Sequence, residues 1–158
     1  MISTRKHLDY ALGYLGLNLL ADARAELALI PAGERAAPEV LAVQLELAMA
    51  ACTWTRVIRL AEKLAARLPE TERPWIAWAY ALREKQHIAE ARDVLLRGER
   101  LIAAPTALVD YNLACYFCLL GDLVESRRRL QRACAREPGW KTEASADPDL
   151  ASLKTAPR

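Results

Sequence analysis

Cys115 and Cys118 stand three residues apart in the stretch LACYFCLLGD, residues 113–122. That is the spacing of dithiol redox sites and of half of many zinc sites. A zinc site would need further ligands, and the chain's two histidines are His7 and His87. They lie far apart, and neither sits in a His-x3-His or acid–histidine pair at ligand spacing. No metal is expected. The sequence also holds no nucleophile elbow, no glycine-rich phosphate loop and no HExxH. Carboxylates are plentiful, but no irregular segment gathers a pair for acid–base work. The expectation is a non-enzyme with no catalytic residue and no cofactor. The densest charge is Arg127-Arg128-Arg129 with Arg132 and Arg136. Arg128, Arg132 and Arg136 recur every four residues, so they form one helical stripe, partly offset by Glu125 and Glu137. A solvated face is expected there, and the net charge of +2 is too balanced to call for nucleic acid or lipid.

The elements that hold these residues follow from composition and period. The chain has 158 residues, enough for one domain with a substantial core. At 53% hydrophobic it is not a disordered chain, and at 27% charged it is not a membrane bundle. No segment reaches the roughly 18 uncharged apolar residues that span a bilayer. An excess of Ala, Leu, Arg and Glu points to helices. The four cysteines, Cys52, Cys115, Cys118 and Cys134, are too irregularly spaced for a disulfide framework. Free thiols in a reducing compartment, hence a cytoplasmic location, are expected. Arg5-Lys6, the apolar run Tyr10 to Ala21 and Ala21-Asp22-Ala23 superficially resemble a signal peptide. The same residues also fit the repeat that runs through the rest of the chain.

Sliding the chain against itself at 34 residues aligns four windows, 4–37, 38–71, 72–105 and 107–140. The eighth position of each holds Ala11, Leu45, Ala79 and Ala114. A second apolar stripe starts at Ala23, Val57, Ala91 and Ser126 and continues four residues on at Leu27, Ala61, Leu95 and Leu130. These are helical spacings. Polar turns between the stripes are expected at Leu20–Asp22, Thr53–Arg56, Lys85–Ala89 and Gly121–Val124. Prolines punctuate the window ends, with Pro38 and Pro74 suited to first helical turns. Pro31 comes early and predicts a short second helix in the first window. Gly98 stands where the other windows carry Ile30, Leu64 and Ala133, so its packing site is unusual.

The pattern resembles the tetratricopeptide repeat family. The fourth window carries it best, with Leu113-Ala114, Phe117, Gly121-Asp122, Ser126, Leu130, Ala133 and Pro138. The resemblance implies an all-α solenoid of about four antiparallel helix-turn-helix repeats. Asp147-Pro148-Asp149 reads as an N-cap, a first-position proline and an acidic first turn, so a short capping helix is expected at about 147–154. The resemblance also implies that first helices line a concave groove for a peptide or partner helix. The groove positions would be Leu8 and Leu12 in the first window, Val43 and Met49 in the second, and Arg73, Ile76, Tyr80 and Arg83 in the third. The fourth window would supply Tyr111, Asn112, Cys115 and Cys118. Some members of the family clamp a carboxylate with Lys, Arg and Asn. Here Leu8 and Leu12 replace two of those residues, so that function is not expected.

The expectation is therefore one domain over residues 1–158 that acts as a non-catalytic protein- or peptide-binding scaffold. Membrane and nucleic acid are not expected partners. The alternatives are a homo-oligomer, such as a homodimer, whose groove is filled by its own kind or by the tail, and a small secretion-type chaperone. Cys115 and Cys118, at i and i+3 of one helix, would be soft groove lining; a bridge between them would strain the helix.

Overall fold

The computed structural model describes residues 2–155, and among these it is all helical, with ten α-helices and no strand. The helices are α1 (Thr4–Gly16), α2 (Leu20–Ala28), α3 (Pro38–Ala50), α4 (Trp54–Arg67) and α5 (Glu72–Glu84). They continue as α6 (Ile88–Glu99), α7 (Ala107–Leu119), α8 (Leu123–Arg136), α9 (Trp140–Ala146) and α10 (Ala151–Thr155). Two short 3-10 turns, Ala32–Glu34 and Pro148–Leu150, complete the described structure. Backbone contacts gather the chain into two compact units, one ending at Leu68 and the other starting at Pro69.

One turn recurs within each of the pairs α1–α2, α3–α4, α5–α6 and α7–α8. The positive-φ residues are Asn18, Cys52, Gln86 and Gly121, separated by 34, 34 and 35 residues. The next amide in each case reaches back six residues inclusive: Leu19 to Tyr14, Thr53 to Ala48, His87 to Leu82 and Asp122 to Phe117, all at 2.8–3.0 Å. This is a Schellman closure, which satisfies the helix's last carbonyls and stops it at once. It also corrects the expected turns, which lie about two residues earlier. Leu20, Trp54, Ile88 and Leu123 already open the next helix. The polar residues read as loop, such as Asp22, instead supply the acidic first turn that favours a helix start.

In the first unit α1 packs on α2, and both pack on α3. Leu8, Ala11, Ala23, Leu27, Ile30, Val40, Val43 and Leu47 form its apolar cluster. A fully buried aliphatic side chain of this size contributes on the order of 1.5–3 kcal/mol. α2 is short, as Pro31 requires: nine residues against fourteen in α4. Arg35 then donates to the carbonyls of Ala28 and Ile30, both at 2.8 Å, which caps the truncated end. His7 is buried and lies 2.6 Å from the Glu26 carboxylate. It acts as a packed polar link between α1 and α2.

In the second unit α6 packs on α5 and α7, and α7 on α8. Gly98 is where α6 meets the indole of Trp75: a Cβ built there would sit 2.6 Å from Trp75 Cγ. The glycine is a close-approach residue, which explains why no side chain stands there. Trp75 is held further by donation of its Nε1–H to Pro69 O at 2.9 Å and by the Arg97 guanidinium, 5.2 Å from its ring. Ser126, fully buried, donates to the Ala114 carbonyl at 2.7 Å and ties α8 to α7.

The arginine-rich face of α8 is not simply solvated. Arg129 is buried and contacts three carboxylates: Asp110 at 2.9 Å, Glu125 at 2.9 Å, and Glu99. Asp110 is itself 2% exposed, and Arg132 lies 3.4 Å from its second oxygen. A buried carboxylate on α7 thus recruits the arginines of α8. Arg136 donates to Pro105 O at 2.6 Å.

After α8 the chain folds back on α7 through α9, the 3-10 turn and α10. The expected start at Asp147-Pro148 is present. Asp147 accepts the Asp149 amide at 2.8 Å and caps the turn, and Leu150 is 1% exposed. The segment is more broken than a single helix over 147–154, because the 3-10 turn occupies its first three residues.

Candidate functional site

Each unit presents a different version of a first-helix face. In the first unit a cleft of about 610 Å³ opens along α1 and α3. Leu8 and Val43 form its nearly buried floor, and Leu12, 47% exposed, stands at its mouth. The rim carries Glu34, Glu39 and the ion pair Arg5–Asp9 at 3.3 Å. Elsewhere in the first unit Tyr10, Leu17, Leu19 and Leu29 are exposed large apolar side chains.

In the second unit the corresponding face is occupied by the chain's own Asp147–Leu150 segment. The Tyr111 hydroxyl donates to Asp147 Oδ2 at 2.7 Å, and the Cys115 thiol points to the same oxygen at 3.6 Å. Arg83 donates from Nε to Asp149 Oδ2 at 2.8 Å and from a terminal nitrogen to Oδ1, a bidentate pair. Trp140, at the start of α9, stacks on Tyr111 with ring centres 4.3 Å apart. A cleft of about 420 Å³ remains beside the segment, lined in part by Tyr80, Asn112 and Tyr116. The Tyr116 hydroxyl is buried without a hydrogen-bond partner.

Electrostatics follow this geometry. Burial, with the Asp147 charge second, pushes the Cys115 thiol well above its ordinary range. Burial and then the bond to Asp147 do the same for the Tyr111 phenol. The hydrogen bond to Asp149 raises Arg83 further, so the guanidinium stays charged. A thiol held protonated is a poor nucleophile. Cys115, Asp147 and Asp149 do bring ligand atoms within 4.8 Å of one another. Their lone pairs face donors, however: Tyr111, Cys115 and the Asp149 amide for Asp147, and Arg83 for Asp149. In this arrangement N–H, O–H and S–H donors engage the two carboxylates.

The expected groove residues divide accordingly. Leu8, Val43, Ile76, Tyr111, Cys115 and Cys118 are all buried. Leu8 and Val43 sink into the first unit's core. Tyr111 and Cys115 lie beneath the returning segment, and Cys118 is enclosed with most of α7. Leu12, Arg73 and Tyr80 remain exposed, while Met49, Arg83 and Asn112 are half-buried. Tyr80, Arg83, Tyr111, Asn112 and Cys115 are brought to one site. Leu8, Leu12 and Val43 are brought to another. Sequence reading missed Asp147 and Asp149 as contact residues, because Asp-Pro-Asp reads fully as a helix start. It missed Tyr116, which falls between the assigned stripes and is buried because α7 is covered on nearly every side.

Among the described residues no helix is long and apolar enough to cross a membrane. No family model matches the chain, and no curated protein matches it.

Proposed function

We propose that the chain is a non-catalytic protein- or peptide-binding scaffold of the tetratricopeptide-like kind, which engages partners through the faces of its first helices. The observation that carries this reading is the open cleft along α1 and α3, with Leu12 exposed over a floor of Leu8 and Val43. Supporting it are helix starts at Thr4, Pro38, Glu72 and Ala107, which keep the sequence period. An apolar floor with charged rim residues suits an amphipathic segment: area comes from the floor, and register from the rim.

The test is capture of a partner by the full chain in three forms: wild type, Leu12→Asp, and Val124→Asp on an exposed position of α8. A partner lost by Leu12→Asp and kept by Val124→Asp is expected. Retention by Leu12→Asp sinks the reading. A second reading, self-association, draws on Leu17 and Leu29, which are 71% and 62% exposed. It is separated by the mass measurement given in the Discussion.

A further inference from the structure

The geometry points to Asp147-Pro148-Asp149-Leu150 as an intramolecular ligand: a latch seated in a receptor for acidic peptides on α5 and α7, displaceable by a partner with the same chemistry. That partner carries two carboxylates two residues apart, followed by an aliphatic side chain. The inference deepens the proposed function and rests on its reading of first-helix faces as contact surfaces.

The contacts are those of recognition. Arg83 grips Asp149 with two N–H groups in the fork geometry that reads carboxylates. Tyr111 and Cys115 both address Asp147. Asp147 Oδ1 accepts the Asp149 amide at 2.8 Å, so the two carboxylates are held at fixed separation by a turn that Pro148 pre-forms. Leu150, 1% exposed, supplies the apolar anchor. Asp149 faces the Arg83 guanidinium, which also donates to Glu84 at 2.6 Å, Asp147 faces the Tyr111 hydroxyl, and an aliphatic residue lies behind them; these contacts define the partner by hydrogen bonding and shape.

The latch is also small and its seat is not full. It consists of a three-residue 3-10 turn and the five-residue α10. A helix that short has little stability of its own, so its order depends on docking. Beside it the cleft of about 420 Å³ stays open, and the Tyr116 hydroxyl lacks a partner. A longer ligand has room there, with Asn112 available on the lining for its backbone. Because the latch is tethered, it competes at an effective concentration on the order of millimolar. An outside peptide therefore sees only the open fraction of molecules, and its apparent affinity falls by that fraction.

The experiment uses the full chain and a fluorescein-labelled peptide, ASADPDLASLKT, which copies residues 144–155. Anisotropy titrations compare wild type with the double substitution Asp147→Asn, Asp149→Asn. The latch-weakened chain is expected to bind roughly ten-fold or more tightly than wild type. Adding Arg83→Gln should reverse the gain, and a peptide with Asn at both acidic positions should not bind. Equal affinity for wild type and the latch-weakened chain overturns the proposal, and so does indifference to Arg83→Gln. Circular dichroism checks that the variant folds. If it does not, hydrogen exchange on wild type decides. Excess peptide should speed exchange at residues 149–155 and leave α7 protected. Unchanged or slower exchange at 149–155 overturns the latch, as does a dimer formed by swapped segments. Leu12→Asp should leave peptide binding unchanged, so a failed latch and a failed first-unit cleft give different results.

Discussion

Cys115 and Cys118 share a spacing with redox sites, but their surroundings remove the chemistry. Cys115 lies under Asp147, which disfavours a second negative charge, and both thiols are under 5% exposed. Cys52 is exposed in a turn. Alkylation at pH 8, followed by mass spectrometry, should modify Cys52 quickly. Cys115 and Cys118 should react about a hundred-fold more slowly, limited by opening of the fold. Fast modification of Cys115 would show that the segment above it is not seated. A second residue-scale effect sits at Glu125. The hydrogen bond from Arg128, with help from Arg129, holds its carboxyl at about 2 against a usual 4.5. The ion form is favoured in the folded state, so this contribution is complete above about pH 4.5. It fades as pH falls through 4.5 towards 2. Urea unfolding of Glu125→Gln should therefore show a deficit against wild type at pH 7 that closes by about pH 2. A deficit independent of pH would assign the residue a packing role only.

At the scale of elements, the helix ends and close approaches were partly legible. The early Pro31 foretold a short α2, and the eighth position of each window foretold a buried contact, with Ala11, Leu45, Ala79 and Ala114 all at most 1% exposed. The turns were displaced because a Schellman closure needs a left-handed residue. Cys52 and Gln86 give no sign of that conformation in a sequence, whereas Gly121 does. Gly98 is unusual in the sequence pattern, and only the packed structure supplies Trp75 as the reason. Gly98→Ala should lower stability by about 1–3 kcal/mol, because the new methyl meets the Cβ and ring of a large, anchored indole. Equilibrium denaturation measures it; a neutral or stabilising result would mean that Trp75 can shift.

At the scale of the whole molecule, the chain's two units offer faces in different states, one open and one occupied by its own Asp147–Leu150 segment. The proposed scaffold reading predicts a monomer in isolation. Light scattering should give the chain mass of 17.6 kDa across a hundred-fold dilution series. A mass that doubles with concentration and reverts in Leu17→Asp would assign the exposed apolar side chains to self-association instead.

The sequence by itself determined the helical class, the period and the core stripes, because each depends on local spacing repeated at 34 residues. It also yielded the start at Asp147-Pro148, which is local cap chemistry. Only the tertiary structure decided that this cap's carboxylates belong to Arg83 and Tyr111, 66 and 36 residues away. Likewise, Arg129 looked like surface until Asp110, Glu99 and Glu125 closed around it. Periodicity reports which side of a helix is apolar, whereas a partner distant in sequence leaves no mark on it. The candidate site turns on such distant partners, and packing alone set them.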